Sequence, residues 1–365
     1  MKIVIDGRMY GLKHAGIGRY VLNLVKEIEK QDKKNNYWVL LRKKYYQKVH
    51  FANPRFKKVL ADYGHYSLKE QFFLPLQLIK LKPDLVHFPH FNVPFFWWGR
   101  QIVTIHDLIK HQSRGVRTTT KWPLFYWFKF LNYRFLVWLV VNRAARIIVP
   151  SQWTKTELTR RYHLPPEKIV VTYEGVDDKF KIGNLLTKYK IKKPFVIYTG
   201  SLYPHKNVVS LVRAVQKINL RLVVVCARNV FWQRFKKKIK MLKAEKLVTL
   251  AGFVPDKDLV ALYQQAEAFV FPSLLEGFGL PGLEAMAVGL PVIASSSSCL
   301  PEVYGQAAVY FNPLDVGEMA KKIKKVVGNK ELKSKMVKLG YQQVEKYSWQ
   351  KMARETIEVY KNGSK

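Results

Sequence analysis

The chain has only two cysteines in 365 residues, Cys226 and Cys299. Two cannot build a disulfide framework, and Cys226 closes the apolar run LRLVVVC, which reads as a buried strand. A reducing cytoplasm is the expected compartment. No apolar run approaches the roughly 18 to 20 residues that a membrane span needs. The longest attempt is FLVWLVV at 135–141. The opening MKIVIDGRMY is too short an apolar stretch, and too early charged, for a secretory signal. The chain is therefore expected to be soluble or to lie on a membrane surface. No short-period repeat occurs, and no low-complexity tract exceeds the four serines at 295–298. Acidic residues are also scarce, 26 Asp plus Glu against 63 Lys plus Arg, for a formal net charge of +37. Such a field attracts nucleic acid, anionic lipid head groups or phosphorylated substrates, and composition does not choose among them. There is no helix-turn-helix, zinc or RNA-binding signature, and the lysines are spread along the whole chain, which argues against a nucleic-acid partner.

What is present is apolar material for two cores, at 48% hydrophobic residues and about twice the usual single-domain length. Strand patterns alternate with helix patterns throughout, the mark of parallel sheets with helical crossovers. The fold class expected is α/β, with two doubly wound, Rossmann-like parallel-sheet domains. Strands are read near 2–5, 37–41, 85–88, 102–105 and 147–149, then at 195–199, 221–225, 248–250, 268–271 and 291–294. Ile17, Tyr20, Val21, Leu24, Val25 and Ile28 recur at helical spacing and mark the first helix. The polar, basic stretch 176–194 reads as a linker between a domain at 1–175 and one at 195–347, with residues 348–365 forming a last helix.

The chemistry concentrates in FPSLLEGFGLPGLEAMAVGLPV at 271–292. An apolar strand runs into a turn holding Glu276, and Gly277, Phe278 and Gly279 lead into a helix carrying Glu284. This order puts Glu276 beyond the carboxyl end of a strand, where open α/β sheets bind ligands, and a helix start at Leu280 suits an anion. Glu284, one turn into an apolar helix, requires a polar partner. Gly200, Ser201, His205 and Lys206 follow another strand and open a helix. A lysine at a helix N-terminus gains nothing from the dipole, so its place is better explained by an anion such as a diphosphate. Gly11, Gly16 and Gly18 lie between the first strand and the first helix, with Arg19 following; such a loop serves turn geometry or close approach to a ligand. His106 and Asp107 stand at the carboxyl end of QIVTIHDL, facing the same side as the glycine loops. His87, His90 and His106 fall on separate segments and do not suggest a metal, while Asp256 and Asp258 follow Pro255 and read as helix caps. Gly252 to Pro255 makes a strand-to-helix turn.

Glu276 and Glu284, set inside EGFGLPGLEAMAVGLPV, closely resemble the paired-glutamate motif of retaining family 4 glycosyltransferases, which have the two-domain glycosyltransferase B fold. The resemblance spans nearly the whole chain and lies nearest the mannosyltransferase-like branch. It implies two domains facing a cleft, with the last helix crossing back onto the first domain and catalysis dependent on domain closure. It also implies no cofactor or metal: the donor is a GDP- or UDP-linked sugar, and the acceptor a glycan or a lipid-linked glycan. By the same resemblance, Gly16, Ile17, Gly18 and Arg19 match the glycine-rich loop over the donor diphosphate, with Ala15 where glycine is common. His106 matches the active-site histidine near the transferred sugar, with Asp107 as an orienting or acceptor-contacting acid. Lys206 matches the lysine on the donor phosphates, Val254 the residue whose backbone meets the base, Glu276 the group on the sugar hydroxyls and Glu284 that on the ribose. Many members place an arginine after the glycine where this chain has Ser201, which leaves a second cation to His205 or Arg19. A sugar-nucleotide epimerase of the same architecture is the rival reading. The aromatic stretch 121–146 and FFWWGR at 95–100 are expected either to be buried or to dock the first domain on an anionic membrane. The lysine-rich stretch 234–246 reads as a solvated helix.

Overall fold

Runs of four or five β-branched and large apolar residues, too short for helices and flanked by turn residues, give the strands of this protein. The computed structural model describes residues 1–11, 15–112, 123–176 and 188–363. Most of the expected linker (177–187), the positions 12–14 of the glycine loop and the start of the aromatic stretch (121–122) lie outside the described residues. The chain divides into two compact units, one of Met1–His111, Thr119–Gly175 and Ser348–Lys365, the other mainly Val176–Tyr347.

The first unit is built on seven parallel strands: β1 (Lys2–Ile5), β2 (Asn36–Leu41), β3 (Phe56–Leu60), β4 (Leu85–Phe88), β5 (Gln101–Thr104), β6 (Arg146–Val149) and β7 (Ile169–Val171). They lie in the order β3-β2-β1-β4-β5-β6-β7. The direction in which successive strands are added therefore reverses between β1 and β4, which makes that gap the topological switch point of the sheet, where folds of this kind bind ligands. Strands β3 and β7 are absent from the sequence reading. Both are edge strands: lysines occupy the middle of β3, and β7 is only the three residues IVV, too short to stand out as a strand.

One sheet face packs on the helices Leu68–Leu81, Pro123–Arg143 and Gln152–Tyr162, through Leu74, Leu78, Val137, Val141 and Leu158. Against the other lie the helix Ala15–Gln31 and the closing helix Trp349–Gly363, which meet each other where Gln31 Nε2 donates to the Gln350 carbonyl at 3.1 Å. The last helix thus returns to the first unit, as expected. Its fully buried Tyr360 hydroxyl lies 2.6 Å from His87 Nδ1, and His87 Nε2 is 2.8 Å from Thr104 Oγ1.

The second unit carries six parallel strands: β8 (Phe195–Thr199), β9 (Arg221–Val225), β10 (Val248–Gly252), β11 (Phe269–Phe271), β12 (Val292–Ser295) and β13 (Ala308–Phe311). Their order, β10-β9-β8-β11-β12-β13, places the switch point between β8 and β11. The edge strand β13 is again the one the sequence conceals. Asp256 and Asp258 do lie in the first turn of a helix, Asp256–Gln265, but they are not its caps: the cap position is Pro255 and no side chain bonds there. Asp258 instead takes hydrogen bonds from Lys188 at 2.6 Å and the Tyr189 hydroxyl at 2.7 Å. Those bonds hold its carboxyl below the usual range.

Burial pushes the His87 ring down to about 3. A histidine whose folded value is depressed stabilises the fold fully above its unfolded value, and that contribution is lost as pH falls from about 6.5 toward 3, because the unfolded chain takes the proton first. The loss from this one group is about 1.4 kcal/mol per pH unit. Denaturant unfolding between pH 7 and 4 should therefore show stability falling with pH, and His87→Gln should flatten that slope.

Candidate active site

The best-formed constellation straddles the switch point of the second sheet. Lys206 follows β8 and Glu276 follows β11, the two strands that flank the reversal. Lys206 Nζ stands 2.6 Å from Glu276 Oε1, with the lysine side chain 15% and the glutamate side chain 8% exposed. The loops are tied as well as the side chains, since Leu274 N–H donates to the His205 carbonyl at 2.8 Å and Glu276 N–H to Ser298 Oγ at 3.0 Å. An ammonium has three N–H donors, so the bond to Glu276 leaves capacity for oxygens of a phosphate. Lys206 sits in a single 3-10 turn, Pro204–Lys206, just ahead of the helix Val208–Lys217.

Beside this pair the chain turns through Gly277, Phe278 and Gly279 into the helix Leu280–Ala287. Gly279 has φ +96°, and a Cβ there would lie 2.7 Å from the Tyr304 hydroxyl oxygen, which donates to the Gly279 carbonyl. Any side chain would be both strained and obstructed. Buried Tyr304 and the Phe278 ring, which packs edge-on against Tyr347, fix the angle at which the helix start emerges. The backbone N–H groups of that first turn make an anion-seeking end, with Pro281 removing one donor. Glu284 is half-buried one turn along.

His205 is a poor candidate for the second cation. Burial, reinforced by the Lys206 charge, lowers its ring to about 4, so it is neutral near pH 7. It stacks on Tyr203 instead. Ser201 is half-buried and its carbonyl accepts from the Tyr198 hydroxyl at 2.7 Å; Gly200 N–H donates to the Val225 carbonyl. At the end of β10, the Val254 side chain is buried and the neighbouring Phe253 ring is largely exposed.

In the first unit, His106 follows β5. Its Nδ1 lies 3.0 Å from Glu174 Oε1 and its Nε2 3.1 Å from the Pro89 carbonyl, and the ring meets Tyr20 edge-on. The orienting carboxylate is therefore Glu174 and not Asp107, whose Oδ1 accepts from Ile109 N–H at 2.9 Å and shapes the loop. Glu174 fell at the end of the expected first domain, just before the linker, and was given no role there. The signal that would have revealed it is β7, which ends three residues earlier and was not recognised as a strand. Gly16 and Gly18 are also placed differently from the reading, since the helix already begins at Ala15 and both belong to its first turn. Gly16 is open to solvent, while a Cβ on Gly18 would lie 2.0 Å from the Gly11 carbonyl oxygen. Gly18 therefore lets the helix pack on the loop after β1, and Arg19, half-buried, is already on the helix. A further buried group went unread. Arg8, 1% exposed, forks onto Asp6 with two bonds of 2.7 Å and reaches Glu70 at 2.7 Å, locking the loop after β1 to the helix Leu68–Leu81.

Two doubly wound parallel sheets, each with polar groups at the carboxyl edge, define a two-domain, double Rossmann-like α/β class. The sucrose-phosphate synthase structure from Thermosynechococcus elongatus superposes with a TM-score of 0.80 at 19% identity, covering 99% of this chain and 98% of that one. The Anabaena HepE structure in complex with UDP-glucose matches with a TM-score of 0.76 at 17% identity, covering 99% of each chain. The family model described as Glycosyltransferase Family 4 matches residues 14–180, and that described as Glycosyl transferases group 1 matches residues 186–343. The chain belongs to the group 1, family 4 glycosyltransferases. Among curated relatives, O-antigen chain mannosyltransferase B of Escherichia coli is 30% identical over 238 residues, which are 60% of this chain and 61% of that protein. O-antigen chain mannosyltransferase RfbU of Salmonella typhimurium is 30% identical over 247 residues, 66% of this chain and 64% of that protein. The chain thus spans somewhat under two thirds of the length of these relatives.

Gly279→Ala should lower the denaturant midpoint, by about 1–3 kcal/mol of stability, because the added methyl meets the Tyr304 hydroxyl in a left-handed backbone. Gly16→Ala, at an open position, should leave stability nearly unchanged.

Proposed function

We propose that this protein transfers a hexose, mannose foremost, from a nucleotide diphosphate sugar to a glycan or lipid-linked acceptor, with retention of anomeric configuration and without a metal. The observation that carries this is the Lys206–Glu276 pair at the switch point of the second sheet, beside the glycine-led helix start. A cation and a carboxylate side by side suit a substrate that is anionic at one end and rich in hydroxyls at the other. Lys206 and the helix N–H groups then stabilise the negative charge that grows on the leaving phosphate. Glu276 holds the sugar hydroxyls and Glu284 the ribose.

In the transfer step the bond from the anomeric carbon to the phosphate oxygen breaks and a bond from the acceptor oxygen forms on the same face. The acceptor proton passes to the departing phosphate, so no protein nucleophile is required. His106, held by Glu174 and the Pro89 carbonyl, is the group offered to the transferred sugar from the first unit, and Asp107 and Arg19 contribute on the acceptor and diphosphate sides. The relatives named as mannosyltransferases favour mannose and hence GDP, while the UDP-glucose bound to HepE keeps a UDP donor as the measured comparison. The acceptor belongs to cell-surface polysaccharide or glycolipid synthesis, and the protein works on the cytoplasmic face of a membrane whose anionic lipids attract its +37 charge. Among the described residues no helix is long and apolar enough to cross that membrane.

Glu276→Gln and Lys206→Ala should each lower sugar transfer at least a hundredfold, about 2.7 kcal/mol in the transition state, with the fold retained by circular dichroism. A thermal-shift series with GDP-mannose, UDP-glucose and UDP-N-acetylglucosamine should show one donor raising Tm selectively. Near-normal transfer by either variant would overturn the assignment of the pair.

A further inference from the structure

The first unit exposes apolar side chains in an ordered way. On the helix Leu68–Leu81, Leu68, Phe72, Leu76 and Ile79 all point outward, with Leu68 79% and Ile79 60% exposed. The helix Pro123–Arg143 repeats the same spacing with Trp127, Leu131, Phe135 and Trp138, all exposed. Steps of four, four and three residues keep each row on one narrow stripe of its helix. Both helices turn their inner sides to the same face of the sheet, through Leu74, Leu78, Val137 and Val141, so both rows look away from it.

The loop after β4 joins the two rows. Its Phe95 N–H donates to Gln71 Oε1 at 2.7 Å, and the Phe96 ring stacks on Phe72 with centroids 5.2 Å apart. From the other helix, Arg143 donates to the Phe95 carbonyl at 3.0 Å and lays its guanidinium 3.3 Å from the centre of the Trp98 ring. Trp98 remains 72% exposed. The result is one continuous apolar face, larger than isolated surface residues produce.

The charges around it are mainly of one sign. Lys69, Lys80, Lys82, Arg100 and Arg134 are exposed on the same segments. Residues 63–106 and 123–143 contain two carboxylates: Glu70, which is buried and bonded to Arg8, and exposed Asp84, just before β4, which accepts from Lys2 N–H at 2.7 Å. A protein partner reading an apolar patch does not need such a one-sided rim, whereas anionic head groups above a hydrocarbon layer do.

We propose that this face is a docking surface for an anionic lipid bilayer. The outward rows and Trp98 enter the head-group and acyl boundary, and the rim of lysines and arginines meets the lipid phosphates. This deepens the proposed function and rests on it only for the reason such docking exists, the presentation of a lipid-linked acceptor.

Co-sedimentation tests it with vesicles of phosphatidylglycerol and phosphatidylethanolamine, against vesicles of phosphatidylcholine alone. The wild-type chain should pellet with the anionic vesicles at low salt and not with the neutral ones. The triple variant Leu68→Glu, Leu76→Glu, Ile79→Glu and the single variant Trp98→Glu should each bind at least tenfold more weakly, with Tm and the donor-induced thermal shift unchanged. Wild-type-like pelleting of both variants, or no pelleting of the wild type, would overturn the proposal. So would a dimer in sedimentation equilibrium that the same variants dissociate, because a second copy would then cover the face. Vesicle binding lost in the variants while no nucleotide sugar shifts Tm would uphold the docking surface and reject the donor reading, so the two fail separately.

Discussion

The ion pair between Lys206 and Glu276 is the constraint to which the second unit answers. Two charges taken largely out of water are tolerable only while each satisfies the other at close range, and 2.6 Å does so. That distance holds only if the loops after β8 and β11 keep their register, which the Leu274 to His205 backbone bond and the Ser298 contact to Glu276 enforce. The turn at Gly279 over Tyr304 then sets the helix start beside the pair. In the proposed reaction, a diphosphate would meet a cation already ordered and partly neutralised, compete with Glu276 for the ammonium and free the carboxylate to accept hydroxyls.

Histidine shows how far environment decides chemistry in this protein. His87 is enclosed between Tyr360 and Thr104 and stays neutral, so it is a structural bolt between the closing helix and the first sheet. His205 is neutral for a related reason, burial beside Lys206, and serves as an aromatic surface for Tyr203. His106 has a carboxylate on one nitrogen and a carbonyl oxygen on the other, so both ring positions are held.

Charge is distributed with the same economy in the first unit. Its few acids near the carboxyl edge are engaged inward, Asp6 and Glu70 by Arg8 and Glu174 by His106. Inward use of the carboxylates leaves the basic residues to dominate the outer surface. The excess of lysine and arginine, which in composition favours no particular anion, acquires a direction once the apolar rows of two helices are seen to share one side of the sheet.

The sequence by itself determined the two-sheet α/β class and ten of the strands, marked the stretch at 271–292 as the candidate site and, through its likeness to a known family, gave the return of the last helix. These are local signals: apolar runs, helical spacing and a dense glycine and glutamate motif with a likeness to a known family. What it could not determine were features that depend on neighbours distant in the chain. The edge strand β3 is interrupted by lysines, and β7 and β13 are runs of only three and four residues, so only pairing reveals them. Glu174 is 68 residues from His106, and Asp107, adjacent in sequence, was the nearer carboxylate on paper. The neutrality of His205 follows from burial that composition does not record. Lys206 and Glu276 were each legible as functional residues, but that they meet in one ion pair across the reversal of the sheet was decided by strand order, a property of the folded chain alone.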